Sequence, residues 1–147
     1  MKVAKSGWGD MLPTGKAEDN ISPESVQEEK RPTNPPLYYS DLDQFVGEYL
    51  VFVYRRETER PDVYWCRQWW KHEEAIARLE AIWRSWELLR LFPAEGASRW
   101  WLNHADPNMR VLLSEDGPFH RCRDGEHNAT LLPLPVEPAP DGMFKTT

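Results

Sequence analysis

The stretch Glu73-Glu74-Ala75-Ile76-Ala77-Arg78-Leu79-Glu80-Ala81-Ile82-Trp83-Arg84-Ser85-Trp86-Glu87-Leu88-Leu89-Arg90-Leu91 decides the fold. Ala75, Ile76, Leu79, Ile82, Trp83, Trp86 and Leu89 recur three and four residues apart, so a helix gathers them into one apolar stripe. Glu73, Glu74, Arg78, Glu80, Arg84, Glu87 and Arg90 fall mostly off that stripe, and Glu74/Arg78 and Glu80/Arg84 are i,i+4 pairs worth about 0.2–0.5 kcal/mol each. Pro93 and Gly96 end the pattern. The helix starts at Glu73 or as early as Asp62, and the choice decides whether Trp65 to Lys71 is helical or a structured loop.

Working outward, Ser40 before Asp41-Leu42-Asp43 is a plausible N-cap, and Leu42, Phe45, Val46, Tyr49, Leu50 and Val53 continue the helical period. A helix over about 41–55 is expected, with a strand as the rival over Tyr49 to Tyr54. Downstream, Ser98 is a candidate cap for a third helix to about Ala105, and Asp106-Pro107 reads as a fresh start for a short helix to Leu113. Glu115 to Pro118 is a turn, and Phe119 to Leu132 has room for one or two short strands around Asp124-Gly125, a hairpin signal. The expected class is mainly α, or α+β with a minor C-terminal hairpin: a small bundle of three to four helices around a Trp-rich core.

The 147 residues suit one domain. Residues 1–36 are polar and Pro-containing, too poor in large apolar side chains to offset their ordering entropy, and are expected to form a disordered arm. Residues 37–130 form the helical domain, and 131–147 an extended tail in which Pro alternates with apolar residues. Mean hydropathy is -0.71 and the longest apolar run, Tyr49 to Tyr54, is far short of a membrane span. No secretory signal is evident at the start, so a cytoplasmic protein is expected. A net charge of -6 disfavours nucleic acid as the main partner.

Three blocks carry a family likeness: Trp65-Cys66-x-x-Trp69-Trp70-x-His72-x-Glu74-Ala75-x-x-Arg78-Leu79-Glu80-Ala81-x-Trp83-x-x-Trp86-Glu87, then Trp100-Trp101-x-x-His104-x-Asp106-Pro107, then Gly117-Pro118-Phe119-x-x-Cys122. Over residues 38–125 the chain resembles an actinobacterial family known as the domain of unknown function numbered 4913. The resemblance implies an accessory protein of plasmids, integrative elements or phages. It carries over no catalytic residues, because that family has none assigned.

Cys66, His72, His104 and Cys122 are soft ligands of the kind that hold a structural zinc tetrahedrally, and each sits inside one of those blocks. On one continuous helix Cys66 and His72 would point about 240° apart, so the site requires a non-helical stretch before Glu73. The competing reading makes both cysteines buried small hydrophobes and both histidines helix-end residues. The cofactor expectation is therefore none or one structural zinc.

Seven tryptophans cluster in sequence, and the adjacent pairs Trp69-Trp70 and Trp100-Trp101 cannot both face inward on one helix. Trp65, Arg67, Trp69, Trp70, Arg99, Trp100 and Trp101 are accordingly candidates for a partner surface, being residue types that dominate binding hot spots. Burial under the Pro-rich tail is the alternative. His72 with Glu73 and Glu74, or His104 with Asp106, would be the material for general base catalysis, but no nucleophile motif or phosphate loop accompanies them. The sequence reads as a non-catalytic protein-interaction module of a mobile element or phage, with an unknown protein as partner and no membrane association. The runner-up is a zinc-stabilised nucleic-acid-binding accessory protein using Arg67, Arg84, Arg99 and exposed Trp.

Overall fold

The computed structural model describes residues 35–123, 126–128 and 131–144. The disordered arm expected over residues 1–36 falls almost wholly outside them, as does the Asp124-Gly125 turn. Three helices and an aromatic core make up the domain, and no strand forms among the described residues. Among the described residues the one sheet-like feature is an isolated antiparallel bridge between Arg123 and Glu126, where strands were expected.

Helix α1 runs through Leu42–Phe45, a π turn Val46–Leu50, and Val51–Val53. Its cap is Asp41 rather than Ser40: Asp41 is extended and its carboxylate accepts from the Gln44 N–H at 2.8 Å. The Gln44 side chain reaches back and accepts from the Ser40 N–H at 2.7 Å. The helix therefore passes through the stretch where a strand was the rival, burying Phe45, Val46, Tyr49 and Leu50.

Helix α2, Glu73–Leu89, begins at the later of the two expected starts, so Trp65 to Lys71 is not part of it. It buries Ala75, Leu79, Ile82, Trp83, Trp86 and Leu89, as the stripe requires. Helix α3 is continuous through Gly96–Trp100, a π turn Trp101–Ala105, and Asp106–Leu113. Two expectations fail here. Ser98 lies inside the helix rather than capping it, and Asp106-Pro107 does not restart it. The reason is the π turn: the Asp106 N–H reaches back five residues to the Trp101 carbonyl, and the wider turn carries backbone away from the proline ring.

That turn also sets which residues face inward. With about 80° per residue in the π turn instead of 100°, Ala105 lies roughly 40° from Trp100 around the helix instead of 140°, and Leu112 lies roughly 20° away instead of 120°. Trp100, Ala105, Met109 and Leu112 are all buried, a pattern with a five-residue step that no straight α-helix produces on one face.

Trp86 is the hub of the core. The rings of Tyr38, Tyr39, Phe45 and Tyr49 lie 5.7, 5.3, 5.8 and 5.1 Å from it. Trp100 packs beside Tyr49 and donates its indole N–H to the Ile82 carbonyl at 2.9 Å. Next to Trp86, Glu87 is only 5% exposed. Its carboxylate accepts from the Tyr38 N–H at 2.9 Å, from the Tyr39 N–H at 2.9 Å and from the Arg90 guanidinium at 2.9 Å, which in turn donates to the Pro36 carbonyl. The segment before α1 is thus tied to α2 through one buried acid.

Replacing Glu87 by Ala strands two peptide N–H groups and a partly buried guanidinium, so Glu87→Ala is expected to lower stability by about 3 kcal/mol or more, measured by urea unfolding.

Candidate metal centre

Residues 63–68, beyond the loop 54–62 that follows α1, have no regular structure and are pinned to α3 by the Tyr64 N–H, which donates to the Leu113 carbonyl at 3.0 Å. A 3-10 turn, Trp69–Lys71, follows, and His72 is extended (φ -118°, ψ 111°). This is the non-helical stretch that Cys66 and His72 need if they are to face a common point. His72 occupies the N-cap position of α2 but makes no capping hydrogen bond with its side chain; the imidazole turns inward.

The second half comes from the chain after α3. Gly117 approaches the end of that helix so closely that a Cβ there would land on the Val111 carbonyl, which only glycine avoids. Phe119 is then fully buried, its ring edge-on to Trp65 at 5.1 Å and to His72 at 5.0 Å, and the Cys122 N–H donates to the Phe119 carbonyl at 2.8 Å. Arg123 holds this arm against the 60s loop, donating to the Pro61 carbonyl at 2.8 Å and lying over the Tyr64 ring.

Cys66, His72, Cys122 and His127 converge, with one ligand atom from each within 4.8 Å of all the others, and three of the four residues are buried. Cys122 Sγ lies 3.5 Å from His72 Nε2, Cys66 Sγ lies 3.6 Å from His127 Nδ1, Cys122 Sγ lies 4.0 Å from His127 Nδ1, and the two imidazole nitrogens are 3.1 Å apart. A tetrahedral site with metal–sulfur bonds of about 2.3 Å and metal–nitrogen bonds of about 2.0–2.1 Å has S···N edges of about 3.5 Å and an N···N edge of about 3.3 Å. The S···N separations of 3.5 and 3.6 Å and the N···N separation of 3.1 Å lie close to those edges, and the group could hold a metal ion. Burial pushes the Cys66 thiol up to about 11, with the Cys122 sulfur beside it adding to the effect, so the thiolate that ligation needs calls for a cation to compensate it. Burial and the neighbouring His127 both lower the His72 pKa, favouring the neutral imidazole that ligates.

Cys66, His72 and Cys122 are therefore brought together as the sequence suggested, and His104 is not. His104 sits in the π turn of α3, partly buried, where its carbonyl accepts from the Asn108 side chain at 2.9 Å. His127 takes its place. The signal for His127 was its closeness to Cys122: the set reads C-x5-H then C-x4-H, one Cys-His couple from each arm.

The candidate partner residues are scattered. Trp100 is fully buried and Trp69 buried, so neither belongs to a surface; both are core. Trp65 packs on Phe119 and Trp101 stacks on Tyr54, each half-buried, and Arg99 on α3 pairs with Glu95. The Pro-rich tail does not cover them, since Leu132, Leu134 and Val136 remain outside the core. Arg67 and Trp70 do share a site: with Lys71, Glu126 and His127 they line a hollow beside the Cys–His group, and Trp70 is 52% exposed there.

The profile of a known family matches residues 39–140, two thirds of the chain and both arms of this centre. The chain belongs to the family described as Domain of unknown function (DUF4913). Neither the curated proteins nor the solved structures contain a match. Among the described residues no helix is long and apolar enough to cross a membrane.

Cobalt(II) titration distinguishes the ligands: Cys122→Ser and His127→Ala are expected to lose or strongly shift the thiolate-to-metal absorption of the tetrahedral complex, whereas His104→Ala leaves it unchanged.

Proposed function

We propose that the chain is a zinc-stabilised, non-catalytic interaction module whose partner is another protein. The closed set of two thiols and two imidazoles carries this reading. Sulfur and nitrogen donors select zinc over magnesium or calcium, and four protein ligands leave no coordination position for a substrate or an activated water. A structural zinc in small domains contributes about 10–16 kcal/mol of apparent binding energy, enough to order two arms with little regular structure. Trp70 supports the interaction role: a large aromatic side chain left half in water, flanked by Arg67 and Lys71, is the kind of residue that anchors a protein interface. Two unpaired thiols suit the reducing cytoplasm, which this proposal takes as the compartment. The mobile-element setting implied by the family resemblance completes the proposal.

Native mass spectrometry of the reduced protein is expected to find one zinc per chain, with chelation lowering the melting temperature by about 10 °C or more. A chain that retains its stability and takes up no zinc would end this reading.

A nucleic-acid role draws on the same Trp70, Arg67 and Lys71, an aromatic face between two cations. The other arginines it called on are engaged elsewhere. Arg84 lies over the Trp83 ring at 4.2 Å and 3.7 Å from Glu80, and Arg99 is 3.4 Å from Glu95. Fluorescence anisotropy with a labelled single strand is expected to show no salt-dependent binding; affinity that falls steeply with salt would favour this second reading.

A further inference from the structure

A cavity of about 320 Å³ opens between the end of α1, the loop after it and α3. Tyr54, Trp65, Met109 and Leu113 give it an apolar, aromatic wall, and Arg55 and Arg56 are its charged lining, with no carboxylate among them. Such a site suits an apolar ligand that carries a negative charge.

The chain's own C-terminal segment has that chemistry. Between Leu131 and Pro140, prolines stand at 133, 135, 138 and 140, each fixing its own φ, and Leu132, Leu134, Glu137 and Ala139 precede a proline and are held extended by it. The segment is therefore committed to a polyproline II course and has little entropy left to lose on binding. Leu134 and Val136 are 86% and 87% exposed, and Glu137 is the only charged residue from 131 to 140. At three residues per turn, Leu134 and Glu137 fall on the same edge, about 9 Å apart. Aromatic-lined grooves are the usual receptors for such a segment.

We propose that this cavity receives the Pro-rich segment of a second copy of the chain, Leu134 against the Tyr54–Trp65 wall and Glu137 at Arg55 and Arg56. The occupant comes from another copy because the chain's own tail leaves by a different route: Leu131 and Pro133 lie with Lys71, His72, Glu74 and Pro118 at the start of α2, and none of the described tail residues lines the cavity. Reciprocal exchange of tails closes a two-fold dimer. The contact is small, so it belongs to the weak, concentration-dependent class. This proposal rests on the reading of the chain as an interaction module, to which it gives a partner.

Sedimentation velocity on the 147-residue, zinc-loaded chain over about 10 to 500 µM tests it. The expected result is a monomer–dimer equilibrium. Leu134→Asp should raise the dissociation constant tenfold or more, and Glu137→Arg and Arg56→Glu severalfold each, with the double variant regaining most of the loss. Excess peptide spanning residues 131–140 should dissociate the dimer. A monomer at every concentration overturns the proposal, as does a dimer indifferent to Leu134→Asp and to the charge reversals. A monomer that still binds one zinc overturns the tail contact alone and leaves the zinc-stabilised module standing. Leu134 and Glu137 are exposed, so these variants probe association without disturbing the fold.

Discussion

Two arms of this protein, residues 63–72 and the described residues 117–123 and 126–128, have almost no secondary structure of their own, and they meet at Cys66, His72, Cys122 and His127. Helices satisfy their own backbone and need only an apolar face to pack; irregular arms have neither advantage. What holds them is a short series of anchors: the Tyr64 N–H on the Leu113 carbonyl, Gly117 against the end of α3, Phe119 in the core, and Arg123 on the Pro61 carbonyl. Each anchor brings a ligand-bearing residue nearer the common point. The four side chains there pair a couple from one arm with a couple from the other, so whatever binds them crosslinks positions 61 residues apart in the chain.

The same economy governs the other end of the molecule. Glu87 sits on the buried side of α2, beside the aromatic cluster around Trp86, where an unpaired carboxylate would be costly. It is tolerated because peptide N–H groups, an indole N–H and the Arg90 guanidinium all point at it. An acid of this kind gives an otherwise greasy interface direction: Tyr38 and Tyr39 can dock in one register only.

How much of this the sequence disclosed depended on the distance over which each determinant acts. The stripe of α2 and the apolar period of α1 are local, and both helices lie where the period put them. Glu87 looked like one more solvated charge, because its partners, Tyr38 and Tyr39, are nearly fifty residues away. Cys66, His72 and Cys122 were recognisable as ligands. His104 misled because it occurs within a conspicuous Trp block, whereas His127 lies in a plain stretch next to Asp124-Gly125. Side-chain chemistry named the ligand types; only the path of the chain could choose between two histidines. Trp69-Trp70 and Trp100-Trp101 could be read as pairs that must diverge, but which member turned inward was decided by a 3-10 turn in one case and a π turn in the other.

The π turn in α3 has a bearing on how relatives should be aligned and edited. It behaves as one residue inserted into an otherwise regular helix, placed between a half that contributes Trp100 and a half that contributes Met109 and Leu112. Removing a single residue there would leave a perfectly good α-helix by any local measure. It would also leave everything beyond it facing nearly as it does now, because four residues at 100° turn through about as much as five at about 80°; keeping all five but regularising them to α geometry would instead rotate the rest of the helix by about a quarter turn, carrying Gly117 and the arm that bears Cys122 and His127 away from Cys66 and His72. The width of the turn, rather than the number of residues in it, is therefore the phase-setting element for a site some twenty residues downstream: a relative one residue shorter between Trp101 and Ala105 keeps the same faces with a plain α-helix, whereas one of equal length needs the π turn.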